Sequence, residues 1–239
     1  MEYQNPYAAY ATSAAAHAEE SERVGFIRNT YLHLTAAVCG FILLEGALLT
    51  LIPAAAVNGI LGRMGSWGPL LILVGYMAVS GIARRWAESS VSLSMQYAGL
   101  GLYVVAEAIL FVPLMHLAMR MDPSIPVQAA VITAVVFGGL TAYVFMTKAD
   151  FSMWGKYLGL AGLAAFGFAI AGLCFGFSLG IFFSVAMVVL LSGYILYDTS
   201  NVLHHYGVKQ YVGASLALFA SISTLMWYVT RILIALRDE

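Results

Sequence analysis

Seven stretches of this chain run on almost nothing but apolar side chains: 30–52, 67–83, 94–119, 126–146, 157–177, 179–198 and 211–234. A helix needs about 20 such residues to cross a hydrocarbon layer ~30 Å thick. Most of the runs meet that length. The second is short, and the helical stretch RRWAE that follows can extend it. Barrel strands would show alternating segments of about ten residues, a pattern missing here. Within lipid every backbone amide needs a partner in its own segment, so the runs are expected to be helices.

Composition points the same way. Of 239 residues, 62% are apolar and 10% charged, against about 45–50% and about 25% in soluble domains. So few charges cannot cover a water-facing surface, which makes the lipid bilayer the expected partner of much of this one. The net charge of −1 says nothing about nucleic acid, but there is no basic stripe to bind it, and no nucleic-acid partner is expected. Cys39 and Cys174 lie inside apolar runs without metal-type spacing and read as small core residues. No metal or other cofactor is expected.

The organisation follows. Residues 1–27 read as a mobile tail rich in Ala, Tyr, Ser and Glu, and 28–239 as one transmembrane domain. The stretches NGILGRMGS and MDPSIP carry turn residues, and FGFSLG is tight enough to force an antiparallel hairpin. Cationic residues bias orientation. Seven lie on the tail side (Arg23, Arg28, Arg84, Arg85, Lys148, Lys156, Lys209) and four on the other (Arg63, Arg120, Arg231, Arg237). The N-terminus is therefore expected in the cytoplasm and the C-terminus outside. Glycines at 155, 159 and 162, and at 172, 176 and 180, allow close helix approach, either for packing within the bundle or for self-association.

Ionisable residues inside the spans are costly, about 2.5–3.5 kcal/mol each at mid-membrane, and usually pair or line water. Asp198 closes the sixth run, and Arg84 and Arg85 close the second at matching depth. The expectation is a pair, with Arg84 the first choice; interfacial snorkelling is the alternative. Glu107 sits in mid-span in YVVAEAILF, with no Lys or Arg expected at its depth. It is either neutral and hydrogen-bonded to Ser, Tyr or backbone, or it faces a water cavity. Glu45 lies nearer the outer side. Together the two acids suggest a cavity open to cations or protons. His33 and His116 are expected to bond locally, and His204 and His205 to lie in a solvated loop.

Two stretches carry a family resemblance. LLSGYILYDTSNV resembles the sixth-helix signature of the Bax inhibitor-1 family, and YVFMTKADFSMWGKYLG, residues 143–159, resembles its pattern between helices four and five. The Arg84–Arg85 pair fits as well. The resemblance implies an all-α membrane protein, a seven-transmembrane-helix bundle with the last helix central. It also implies two alternative functions. Some bacterial members act as pH-sensitive leaks for Ca2+, in which the aspartate matching Asp198 works with a second aspartate and a helix-two arginine. Here the second position falls at Ser221, and the last helix carries no acid. Another bacterial branch consists of inner-membrane proteins that engage a membrane-bound ATP-dependent protease through a cytoplasmic N-terminal tail. This chain resembles that branch in its tail. From the residues themselves, a leak would carry a cation or H+; that the cation is Ca2+ is what the resemblance implies.

Enzyme classes fit poorly. An intramembrane aspartyl protease needs two acids, one protonated while the other activates water, and the last helix offers none. A retinal protein needs a lysine there, and residues 211–239 contain none. No phosphate loop or zinc motif occurs.

Overall fold

The computed structural model describes residues 18–89, 92–177 and 179–238. These form eight helices: α1 (Glu20–Leu51), α2 (Ala54–Met64), α3 (Gly68–Ala87), α4 (Leu93–Met121), α5 (Ile125–Thr147), α6 (Gly155–Phe175), α7 (Gly180–His204) and α8 (Tyr211–Ala235). No strand occurs among the described residues. All but α2 are long and apolar enough to cross a membrane. The bundle is all-α with seven spans, as its hydropathy requires.

Local chemistry sets the helix ends. The Ser92 hydroxyl accepts from the Met95 amide at 3.3 Å and caps α4. Prolines stand in the first turns of α3 and α5, where a missing amide costs no hydrogen bond. Helix α6 stops at Gly176 with φ 72°, a left-handed backbone that glycine adopts without a Cβ clash.

Three boundaries differ from the sequence expectation. Helix α1 starts at Glu20, so residues 20–27 of the expected tail are helical. Residues 1–17, the bulk of the expected tail, lie outside the described residues. The connection after α1, expected as a turn, contains α2 instead. Its four glycine, asparagine and arginine interruptions hid a face of Val57, Ile60, Leu61 and Met64 spaced for a helix. Helix α7 continues past Asp198 to His204, because no breaker precedes Gly207. Asp198 therefore lies well inside the helix rather than at its exit.

Helix α8 is the centre. Of its most apolar window 67% is buried, against 11% for that of α3. It packs against α1, α4, α5 and α7. Its Leu218, Phe219 and Leu225 are almost wholly enclosed. The closest helix approach joins α3 to α4. A Cβ on Gly99 would stand 2.5 Å from both the Ala83 carbonyl oxygen and the Ala87 nitrogen. Among the expected glycine contacts, Gly155 and Gly162 receive the rings of Tyr197 and Tyr194 from α7, while Gly159 meets nothing within 4 Å. The stripe thus serves packing inside the bundle at two of its positions. Cys39 and Cys174 are exposed and unpaired, not core residues: both sit on outward faces, where lipid takes the place of a core.

Candidate functional site

The spans alternate in direction, so α1, α4, α6 and α8 begin where α3, α5 and α7 end. That end of the bundle, the near end, holds Asp198 and Arg84. The far end holds α2 and the close of α1. From Asp198 and Arg84 a connected run of polar side chains leads inward as far as Glu107, at mid-bundle.

Asp198 projects from α7 onto α8. The Ser221 hydroxyl donates to its Oδ2 at 2.6 Å. Ser221 is itself buried, so this bond is shielded from competing water. Arg84 faces Asp198 from α3, and its charge acts on the carboxylate through space. The expected contact pair is not formed: among the described residues no nitrogen–oxygen approach of 4 Å or less joins Asp198 to Arg84 or Arg85. The reason is competition. Arg84 donates to the Tyr103 hydroxyl at 3.3 Å, and its guanidinium carbon lies 5.3 Å from the centroid of that ring. A cation over a tyrosine face gains about 0.5–2 kcal/mol. Arg85 points outward and is exposed.

From Arg84 the hydrogen bonds continue inward. Tyr103 and Tyr76 join hydroxyl to hydroxyl at 3.1 Å. Tyr76 donates to Glu107 Oε1 at 2.7 Å, and Ser223 donates to the same oxygen at 3.0 Å. Each hydroxyl has one proton, which fixes the direction of the chain. Tyr76 spends its proton on Glu107, so Tyr103 donates to Tyr76 and accepts from Arg84. A guanidinium and a mid-membrane carboxyl are thus linked through two phenols. Glu107 is 2% exposed, and its Oε1 accepts from tyrosine and serine.

An aromatic layer closes the network on its far side. Phe111 lies one turn beyond Glu107, and Trp227 one turn beyond Ser223. Their ring centroids are 5.2 Å apart, edge to face, and Phe41 meets Phe111 at 5.1 Å. Such pairs each add about 0.5–1.5 kcal/mol beyond burial. Glu45 lies on α1 beyond that layer. It is buried, and neither carboxylate oxygen has a hydrogen-bond partner. Neither Glu45 nor Glu107 lines the apolar cavity between α2, α3 and α4 or the polar one around Asn201 and His205.

Outside the spans, the loop after α5 is clasped to α7. The Phe151 amide donates to Ser200 Oγ at 2.8 Å. Ser200 donates to Asp150 at 3.3 Å, and His205 Nε2 stands 3.5 Å from the same carboxylate oxygen. The Ser152 amide, at 2.8 Å, and then the Ser152 hydroxyl hold the Asp150 carboxyl down at about 2, with His205 adding to them. His204 Nδ1 donates to the Ser200 carbonyl, 3.0 Å away, and the residue belongs to the helix rather than to a loop. His33 bonds locally to Asn29 and across to Tyr97. His116 reaches the Ile52 carbonyl, just past the end of α1, at 2.8 Å, so it ties α4 to that end instead of bonding locally. Among the described residues no group of three or more His, Cys, Asp or Glu could hold a metal ion.

The family model "Inhibitor of apoptosis-promoting Bax1" matches residues 23–238. The chain belongs to the Bax inhibitor-1 family. Its relatives within and beyond bacteria agree. An uncharacterized protein of Pseudomonas aeruginosa is 28% identical over 88% of this chain and 89% of its own length. Bax inhibitor 1 of Schizosaccharomyces pombe is 27% identical over 95% and 83%. An uncharacterized protein of Helicobacter pylori is 29% identical over 81% and 79%. As a Bax inhibitor-1 family member, the chain is a multi-pass membrane protein. Within this family fold, Tyr76, Tyr103 and Ser223 are the polar residues that sequence reasoning did not name. A signal for one existed: Tyr103 precedes Glu107 by four residues and so shares its helix face. Tyr76 and Ser223 come from other helices, and no spacing reveals them.

Proposed function

We propose that this protein is a sealed membrane-embedded modulator of membrane protein quality control in the bacterial inner membrane, with its N-terminus in the cytoplasm. Its partner is a membrane-bound ATP-dependent protease, engaged through the stretch before α1. The observation that carries this reading is the state of Glu107. It is enclosed, bound by Tyr76 and Ser223, and backed by the layer of Phe41, Phe111 and Trp227. A bundle closed in this way acts through its surface and its termini.

The length of α1 supports the same reading. Its 32 residues span about 48 Å at 1.5 Å each, more than a ~30 Å hydrocarbon layer. Its first turns, with Glu20, Glu22 and Arg23, project past the lipid as a rigid base for residues 1–17. Deleting residues 2–17 spares Phe26 and Thr30, which are buried against the bundle. The deletion is expected to leave the helical signal and elution volume unchanged while abolishing co-purification with the protease. Co-purification that survives unchanged contradicts the tail's role.

A second reading is a pH-sensitive leak for Ca2+ or H+. One observation favours it: the polar chain from Asp198 and Arg84 to Glu107 reaches half-way through the bundle. Against it stands Ser221, a hydroxyl where the family's two-carboxylate latch would need an acid. On this reading Asp198→Asn changes ion flux; on the first it changes stability alone.

A further inference from the structure

A cavity of about 590 Å³ opens between α2, α3 and α4 at the far half of the bundle. It meets the polar network only at Tyr76. Its walls include Ile60 and Met64 of α2, Ile72, Gly75 and Tyr76 of α3, and Ile109 of α4. Tyr76 is the one polar side chain in that lining, and its hydroxyl is turned away to Glu107. The cavity therefore presents hydrocarbon and aromatic surface, with no donor or acceptor to orient a polar ligand. Its volume falls within the ~300–1,000 Å³ of small-molecule sites.

Several observations select the occupant. The mouth is formed by exposed residues: Ile60 is 58% exposed and Ile109 59%. Both belong to a surface that faces bilayer hydrocarbon in a membrane-spanning protein, so the medium at the mouth is lipid tails and not water. Protein interiors keep few voids larger than a water molecule, because an unfilled wall loses its dispersion contacts. Arg63 closes the last turn of α2, between the lining residues Leu61 and Met64, and it is exposed. Trp67 follows four residues later, just before α3, and is also exposed. A cation and a tryptophan next to the rim of an apolar groove match the interfacial zone of a bilayer, where phosphates lie.

We propose that this groove is a binding site for one glycerophospholipid, with an acyl chain between α2, α3 and α4 and the phosphodiester beside Arg63. The tail packs against the ring of Tyr76 and so steadies the hydroxyl that holds Glu107. Helix α2 is then the wall that makes this site distinct from the general lipid belt.

Native mass spectrometry of the full chain, extracted in mild detergent and supplied with phosphatidylethanolamine, tests the proposal. Gly75 lines the groove, and a Cβ there meets nothing within 4 Å, so Gly75→Leu fills the space without a backbone clash. Gly138 on α5 is equally open but lies outside the groove, which makes Gly138→Leu the control. The wild type and Gly138→Leu are expected to retain one phospholipid. Gly75→Leu is expected to lose it at least tenfold, and Arg63→Ala to weaken it. Equal retention by Gly75→Leu, or equal loss in the control, overturns the proposal in favour of belt lipid only. Should Gly75→Leu fail to fold, photo-crosslinking decides on the wild type. With a phosphatidylethanolamine carrying a diazirine in its tail, adducts are expected on peptides from α2, α3 and α4. An even spread over α5 and α6 contradicts the site.

Discussion

Asp198 places a carboxylate inside a helix bundle, and the Ser221 hydroxyl is the group that meets it at 2.6 Å. A shielded hydrogen bond of this kind contributes about 1–3 kcal/mol. Ser221→Ala is expected to lower thermal stability in detergent by that amount, while Ser221→Thr, which keeps the hydroxyl, restores most of it. Equal melting of the alanine variant and the wild type would mean that the bond does not hold α7 to α8. Glu45 makes the opposite case. Its two carboxylate oxygens are buried without partners, and replacing an unsatisfied polar group by an apolar one of similar size is stabilising. Glu45→Met is expected to raise stability by about 1–3 kcal/mol; a loss would show that this acid has a partner. Asp150 sets a pH dependence. Hydrogen bonds from Ser152 lower its carboxyl from the ordinary 3.8 to about 2. A depressed folded value gives stability that is complete above the ordinary aspartate range and is lost as pH falls toward 2. A melting series over that interval should show the loss in the wild type and a flatter profile in Asp150→Asn. Matching profiles would remove Asp150 from the clasp between the α5–α6 loop and α7.

At the scale of helices, the seven spans were legible because hydropathy and length leave a chain in lipid no alternative. Their order and the central place of α8 followed from the family resemblance. What escaped the sequence had specific physical causes. Helix α2 is short and broken by polar residues, so its apolar face did not exceed the signal of a turn. Asp198 ends the apolar run, but the helix persists to His204, because the polar residues past the run include no breaker before Gly207. The Asp198–Arg84 neighbourhood could be inferred from depth, but Tyr103 takes the guanidinium, and depth says nothing of a competing ring. Gly99 was not singled out, although it is the tightest helix contact. A methyl group there would collide with backbone atoms of Ala83 and Ala87 at 2.5 Å. Gly99→Ala should separate α3 from α4 and cost about 1–3 kcal/mol as overpacking. Gly159→Ala, at an open position, should melt like the wild type. If Gly99→Ala also melts like the wild type, the α3–α4 contact is looser than described.

For the whole molecule, the arrangement amounts to a bundle sealed from one side. A polar chain enters from Asp198 and Arg84, ends at Glu107, and is backed by aromatic rings. Restoring a second acid by Ser221→Asp would place two carboxylates together, where both cannot ionise without cost. That variant should lose more stability than the wild type as pH rises through the carboxylate range, because its folded state binds more protons than its unfolded state. The claim on which the rest depends is that the unaltered bundle does not conduct. Purified protein in liposomes loaded with calcium- and proton-sensitive dyes, followed across about pH 5 to 8, measures this directly. Flux equal to that of protein-free liposomes at every pH is the expected result; a calcium or proton leak that rises or falls with pH would contradict it.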